Sequence, residues 1–195
     1  MSRSHTETRT TKETDITVSL AFDGAQEVAI ASSVPFFDHM LHACAFHGGF
    51  SLRVEASGDT DVDPHHLVED TGLVIGSCLK QIFATGGGVK RFGHAVIPMD
   101  EALSEATIDV CGRPTLVYTA SFPQDFAGDF PLWLFREFFL GLANRAEFAL
   151  HLECRYGENA HHMVEALFKA LGKAIGQAYA PIDGSSSAMS TKGAI

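Results

Sequence analysis

The sequence predicts an α+β protein built from two internally duplicated βαβα-type halves, with sheets packed against helices. Three observations carry that expectation. The order strand, helix, strand, turn, helix occurs twice along the 195 residues. Phe50, Leu52 and Val54 return as Phe148, Leu150 and Leu152, an offset of 98. His65-His66-Leu-Val-Glu69 returns as His161-His162-Met-Val-Glu165, an offset of 96 after a turn shorter by two. Residues 1–86 are therefore read as the first half, 87–180 as the second and 181–195 as a tail, all within one domain. The length suits a single well-buried core.

The elements follow in order. Residues 14–22 alternate, with Ile16, Val18, Leu20 and Phe22 on one face of a strand. Pro35 opens a helical segment that Gly48 and Gly49 close. A strand follows on Leu52, Val54 and Ala56, then an Asp-rich turn, then a helix from His65 whose buried stripe is Val68, Ile75, Leu79 and Ile82. Thr85-Gly-Gly-Gly-Val reads as a flexible connector. In the second half, residues 105–122 read as two strands around the turn Cys111-Gly-Arg-Pro114. Pro131 is expected to open a helix ending near Asn144. Phe148, Leu150, Leu152 and Cys154 alternate as a strand, Arg155 to Asn159 read as a turn, and a last helix starts at His161 with Val164, Leu167, Phe168, Leu171 and Ile175 as its stripe.

Composition narrows the function. Apolar residues make up 46% and charged residues 19%, as in folded soluble proteins. Fourteen basic against 24 acidic residues give a charge of −10, which disfavours nucleic acid or an anionic membrane as partner. A small anion is still accommodated by a few well-placed cations. No apolar run approaches the ~20 residues of a membrane-spanning helix, and the polar N-terminus is no signal peptide. A cytoplasmic protein is expected. Cys44, Cys78, Cys111 and Cys154 are far apart with no CxxC pair, so reduced, mostly buried thiols are expected.

Seven of the ten histidines fall in three groups: His39, His42 and His47; His65 and His66; His161 and His162. On a helix, positions i and i+4 share a face, so His65 sits over Glu69 and His161 over Glu165, each pair able to chelate one divalent cation. The neighbouring histidine points ~100° away, out of easy reach of the same ion, and can serve a second ion nearby. Nitrogen and oxygen donors without thiolate suit Mn, Fe, Co, Ni or Zn. A lone HHxxE reads as a solvated helix start, with Glu favoured there by the dipole. Two copies at matched places shift the reading to two metals. A single His on a partly apolar helix, such as His39 or His47, reads by itself as structural. Adding 98 to His39 gives Glu137, whereas pairing Pro35 with Pro131 gives Phe135. Arg91, Arg113 and Lys192 are candidate anion contacts. The tail Ser185-Ser-Ser-Ala-Met-Ser-Thr-Lys-Gly reads as disordered by composition, yet its hydroxyls and Lys192 suit a phosphate if the tail closes over the active site. Glu13, before the first strand, carries no local mark of catalysis.

The segments PFFDHML, VDPHHLVEDTGLVIG, VKRFGHAVIPMDEAL, CGRP, GENAHHMVEALFKAL and STKG, in this order from about Arg9 to Gly193, resemble the imidazoleglycerol-phosphate dehydratase family of histidine biosynthesis. The resemblance implies a duplicated ribosomal protein S5 domain 2-like fold. It also implies two Mn²⁺ per active site, held between subunits of a cage-like homo-oligomer, a 24-mer built from trimers. One metal would take His39, His66, His161 and Glu165; the other would take His65, Glu69, His162 and the residue at 137. The likeness places substrate contacts at Glu13, His39, His47, Arg91, Arg113, Ser190 and Lys192, with Glu13 as the catalytic base. Where family members carry an EHFF-type segment, this chain reads Arg136-Glu137-Phe-Phe, so a carboxylate of different charge and reach stands at one ligand position.

The reaction so implied removes water from D-erythro-imidazole-glycerol phosphate to give imidazole-acetol phosphate. A metal-bound imidazolate would expel the hydroxyl to form a diazafulvene, whose neighbouring C2 proton a carboxylate can take. Two rivals share the donor set: a dinuclear metallohydrolase of a phosphorylated small molecule, and a non-catalytic metal-storage or assembly protein.

Overall fold

A computed structural model describes residues 3–182. The first half runs β1 (Ser4–Thr10), β2 (Thr14–Ala21), β3 (Val28–Ala31), α1 (Pro35–Gly48), β4 (Ser51–Gly58) and α2 (His65–Thr85). The second runs β5 (Phe92–Met99), β6 (Ala102–Asp109), β7 (Thr115–Thr119), the short pair β8 (Phe126–Ala127) and β9 (Phe130–Pro131), α3 (Leu134–Ala146), β10 (Ala149–Tyr156) and α4 (Ala160–Ala178). The four-stranded sheets have orders β1-β2-β4-β3 and β5-β6-β10-β7. Position by position the second sheet repeats the first, including the parallel pairs β3 with β4 and β7 with β10. Among the described residues only the β8–β9 hairpin has no counterpart.

Each sheet buries one face. In β2, Ile16, Val18 and Leu20 point inward, and β4 and β10 alternate in the same way. α2 packs on β1 and β2, and α4 on β5 and β6. The halves exchange their shorter helices, α1 lying against α4 and α3 against α2. Phe37, Phe135, Phe138, Phe139 and Phe168 meet at this helix layer with almost no exposure.

Glycines set how closely these helices approach. A Cβ on Gly172 of α4 would fall on the carbonyl oxygen of Cys44, and one on Gly76 of α2 would lie 2.6 Å from that of Leu142. Gly76 and Gly172 are 96 apart, as are the HHxxE units they follow; their carbonyl partners Cys44 and Leu142 are 98 apart. The crossing therefore aligns α1 with α3 at an offset of 98, which places Glu137 where α1 has His39.

Several expectations are corrected. Pro131 lies in β9, and α3 begins at Leu134, because the Phe126–Pro131 and Ala127–Phe130 pairings hold the chain extended there. β10 continues through Arg155 and Tyr156, with a register shift between Cys154 and Tyr156, so the turn starts at Gly157. β1, β3 and β5 occupy segments for which the sequence pattern predicts no strand. All four cysteines are buried and free. Among the described residues no helix is long and apolar enough to cross a membrane.

Candidate metal centre

The two repeated helix starts are built alike. The Asp63 carboxylate accepts from the His65 backbone N–H at 2.7 Å, and the Asn159 side-chain oxygen accepts from that of His161 at 2.9 Å. Each occupies an otherwise unpaired donor of the first turn. With the backbone fixed, the i, i+4 pairs form as the spacing predicts: His65 Nε2 lies 3.4 Å from Glu69 Oε2, and His161 Nε2 3.1 Å from Glu165 Oε2.

The α1–α4 crossing adds His39, whose Nε2 lies 3.2 Å from the same Glu165 oxygen. His39, His161 and Glu165 each present a donor atom within 4.8 Å of one another, the one such group of three among the described residues. Glu165 is 11% exposed at its side chain, and Lys169 Nζ holds its other oxygen at 2.8 Å. Burial alone would raise its pKa; hydrogen bonds from Lys169, His39 and His161 outweigh that and carry it to about 2. The group is thus an ionised carboxylate with two imidazoles. That nitrogen and oxygen set suits a divalent transition metal. Burial pushes the Cys44 and Cys78 thiols up to about 12, away from the thiolate form that binds metal.

The matching place in the other half is less complete. His65 stands over Glu69 with Trp133 beside it, ring centroids 5.6 Å apart. Glu137, in the position equivalent to His39, accepts from Arg136 at 3.3 Å instead of joining them.

The second histidine of each unit faces elsewhere, as ~100° per residue requires. His66 Nδ1 lies 3.0 Å from Asp59 and 3.9 Å from Glu13. His162 Nδ1 lies 2.8 Å from Glu101. These hydrogen bonds, donated to Asp59 and Glu101, raise both imidazole pKa values from the ordinary value. Glu101 falls to about 2, chiefly through His162 and then through the backbone N–H groups of Asn159 and Glu158.

The remaining sequence candidates are spread over the chain. Glu13 stands exposed in the β1–β2 turn, beside His66. His47 is two turns along α1 from His39, its pKa lowered by burial and by Lys169 and Lys173. Arg91, with a left-handed φ of 73°, gives its Nε to Asp109 at 2.6 Å. Arg113 is exposed in the turn between β6 and β7. Both arginines sit where Asp109 pairs with Ala149, at the end of β10 away from the start of α4, and the Arg91 backbone N–H donates to Ala178 at the far end of that helix. Eight strand residues put them about 23 Å from the His161 end. Ser190 and Lys192 lie outside the described residues.

Sequence reasoning missed Asp59, Glu101, Asp109 and Lys169. Only Lys169 carried a local signal, standing at i+4 from Glu165.

A family model described as imidazoleglycerol-phosphate dehydratase matches residues 32–175. The dehydratase of Lacticaseibacillus casei is 48% identical over 193 residues, covering 99% of this chain and all of the relative. That of Citrifermentans bemidjiense is 50% identical, covering 99% of each. The crystal structure of the Staphylococcus aureus dehydratase superposes with a TM-score of 0.83 at 35% identity, over 92% of this chain and 99% of that one. The Pyrococcus furiosus structure, in complex with (S)-C348, gives 0.85 at 36%, over 97% of this chain and all of that one. Donor group, duplicated fold and full-length similarity agree, and the chain belongs to the imidazoleglycerol-phosphate dehydratase family of hydro-lyases.

Proposed function

We propose that this protein converts D-erythro-imidazole-glycerol phosphate to imidazole-acetol phosphate, using two Mn²⁺ per active site. The observation that carries this reading is the convergence of His39, His161 and Glu165 in a chain of this family. His66 would complete that set from another subunit. His65, Glu69 and His162 would hold the second ion, with Glu137 as a candidate fourth ligand. When bound, the metals supply Lewis acidity and a template for the substrate ring.

The residues of the chain do the rest. Glu13 takes the C2 proton of the glycerol chain. His39 and His47 contact substrate. Arg91, Arg113, Ser190 and Lys192 hold the phosphate and so position the reacting carbons. Separate placement of the arginines and the histidine cluster favours sites assembled between copies, in a homo-oligomer for which we propose 24 subunits built from trimers. In this scheme residues 1–86 and 87–180 each contribute one helix start, and 181–195 closes over the bound substrate.

The test is the product. Incubation with imidazole-glycerol phosphate and Mn²⁺ is expected to yield a ketone without free phosphate. Phosphate release without ketone would establish the hydrolase instead.

Metal uptake is expected to weaken on acidification, beginning above about pH 6.5, because imidazole ligates only when neutral and Asp59 and Glu101 raise the pKa of His66 and His162. A Mn²⁺ titration of metal-free protein between pH 8 and 5.5 reads this directly. Chelation is also expected to reduce particle size on a sizing column; an unchanged size after complete metal removal would separate assembly from metal.

A further inference from the structure

We propose that Glu101 and Asp59 are positioning residues that set the ring tautomers of His162 and His66, so that each ring offers a bare Nε2 to a metal ion. The proposal deepens the reading above and rests on it for the two histidines' role as ligands.

One Glu101 oxygen lies 2.8 Å from His162 Nδ1. The other accepts from the backbone N–H groups of Asn159 at 2.8 Å and Glu158 at 3.0 Å. Asp59 places its two oxygens 3.0 and 3.3 Å from His66 Nδ1. A carboxylate only accepts, so Nδ1 carries the hydrogen and Nε2 of the neutral ring keeps its lone pair. His39, His65 and His161 differ, each turning Nε2 toward a carboxylate of the candidate ligand set. His162 Nε2 lies 3.7 Å from a carboxylate oxygen of exposed Asp100, beyond hydrogen-bond distance.

The duplication supplies a second argument. Ile16 pairs with Ala56 and Ser104 with Cys154, so β2 maps onto β6 at an offset of 88. Glu101 therefore occupies the place of Glu13, each directly before its strand. The residue directly after β4 is Asp59, whereas the residue directly after β10 is Gly157, which has no side chain to offer. In the first half Asp59 holds the imidazole, and Glu13 stands 3.9 Å away and 58% exposed. In the second half Glu101 must do the holding. Two different carboxylates thus make the same contact, to Nδ1, and Asp59 leaves Glu13 free for proton transfer.

The test starts with wild-type, metal-free protein labelled with ¹⁵N-histidine at pH 8, its signals assigned by loss in His66→Asn and His162→Asn. Long-range ¹H–¹⁵N spectra are expected to show the Nδ1–H tautomer at both residues. The Nε2–H tautomer at both would overturn the proposal without any further variant having to fold. In Glu101→Gln the amide keeps an acceptor for the backbone but turns a donor on Nδ1, so His162 is expected to move its hydrogen to Nε2. Calorimetric Mn²⁺ titration of the intact assembly should then show 10- to 100-fold weaker binding, in that variant and in Asp59→Asn. Wild-type affinity in both would overturn the proposal. Failure of wild-type protein to take up Mn²⁺ would sink the metal reading on which it rests.

Discussion

Glu13→Gln is expected to lower kcat by about 10²- to 10⁴-fold, the range a positioned general base contributes, while leaving substrate affinity nearly unchanged. The expectation rests on how rigidly the surrounding turn is held. Thr11 Oγ1 accepts from the backbone N–H groups of Glu13 at 3.0 Å and Thr14 at 2.9 Å. Thr14 Oγ1 donates to the buried Asp70 carboxylate at 2.6 Å, and Arg9 pairs with the other Asp70 oxygen at 3.0 Å. The Glu13 carbonyl accepts from the Asp59 backbone N–H at 3.1 Å. None of these bonds involves the Glu13 carboxylate, so glutamine preserves the turn and removes only the proton acceptor. Steady-state kinetics, with a substrate-analogue dissociation constant measured alongside, separate the two effects. Normal kcat would remove Glu13 from the mechanism, and a raised KM at normal kcat would make it a binding group.

That turn also shows which parts of the molecule could be read from the chain. Ile16, Val18 and Leu20 alternate with polar residues because β2 buries one face, and the same holds for β4 and β10; these strands were legible. β1 runs Ser-His-Thr-Glu-Thr-Arg-Thr at a sheet edge with no apolar face, and its strand state comes from pairing with β2. β3 is four residues long, too short for periodicity to emerge. Pro131 mimicked a helix start because proline suits the first turn, but the Phe126–Pro131 pairing decided otherwise.

In the site, His65 with Glu69 and His161 with Glu165 were visible because one helical turn relates them. His39 joined them on the strength of the duplication and of resemblance, and the α1–α4 crossing is what brings it to Glu165, 126 residues away. Asp59 and Glu101 reach their histidines from loops 7 and 61 residues distant. No spacing rule covers those distances, although a strand-by-strand alignment of the halves would have paired Glu101 with Glu13.

Gly172→Ala is expected to cost about 3 kcal/mol of stability and to weaken Mn²⁺ binding at the same time. The added methyl would meet the Cys44 carbonyl, a backbone atom of α1 rather than the end of a flexible side chain. Overpacking of this kind costs typically 1–3 kcal/mol, and rigid backbone on the far side places this case at the upper end. Relief requires α1 and α4 to separate. That separation moves His39 away from His161 and Glu165, because His39 belongs to the group only through the crossing. Gly24→Ala is the control: its φ of 91° makes alanine strained, at about 1–2 kcal/mol, but open space surrounds the added methyl, so no helix has to move to admit it. Denaturant midpoints and Mn²⁺ titrations of both variants decide the matter. Stability lost in both but affinity lost only in Gly172→Ala is the expected pattern. Unaltered Mn²⁺ affinity in a destabilised Gly172→Ala protein would mean that the three donors are held together by something other than helix contact.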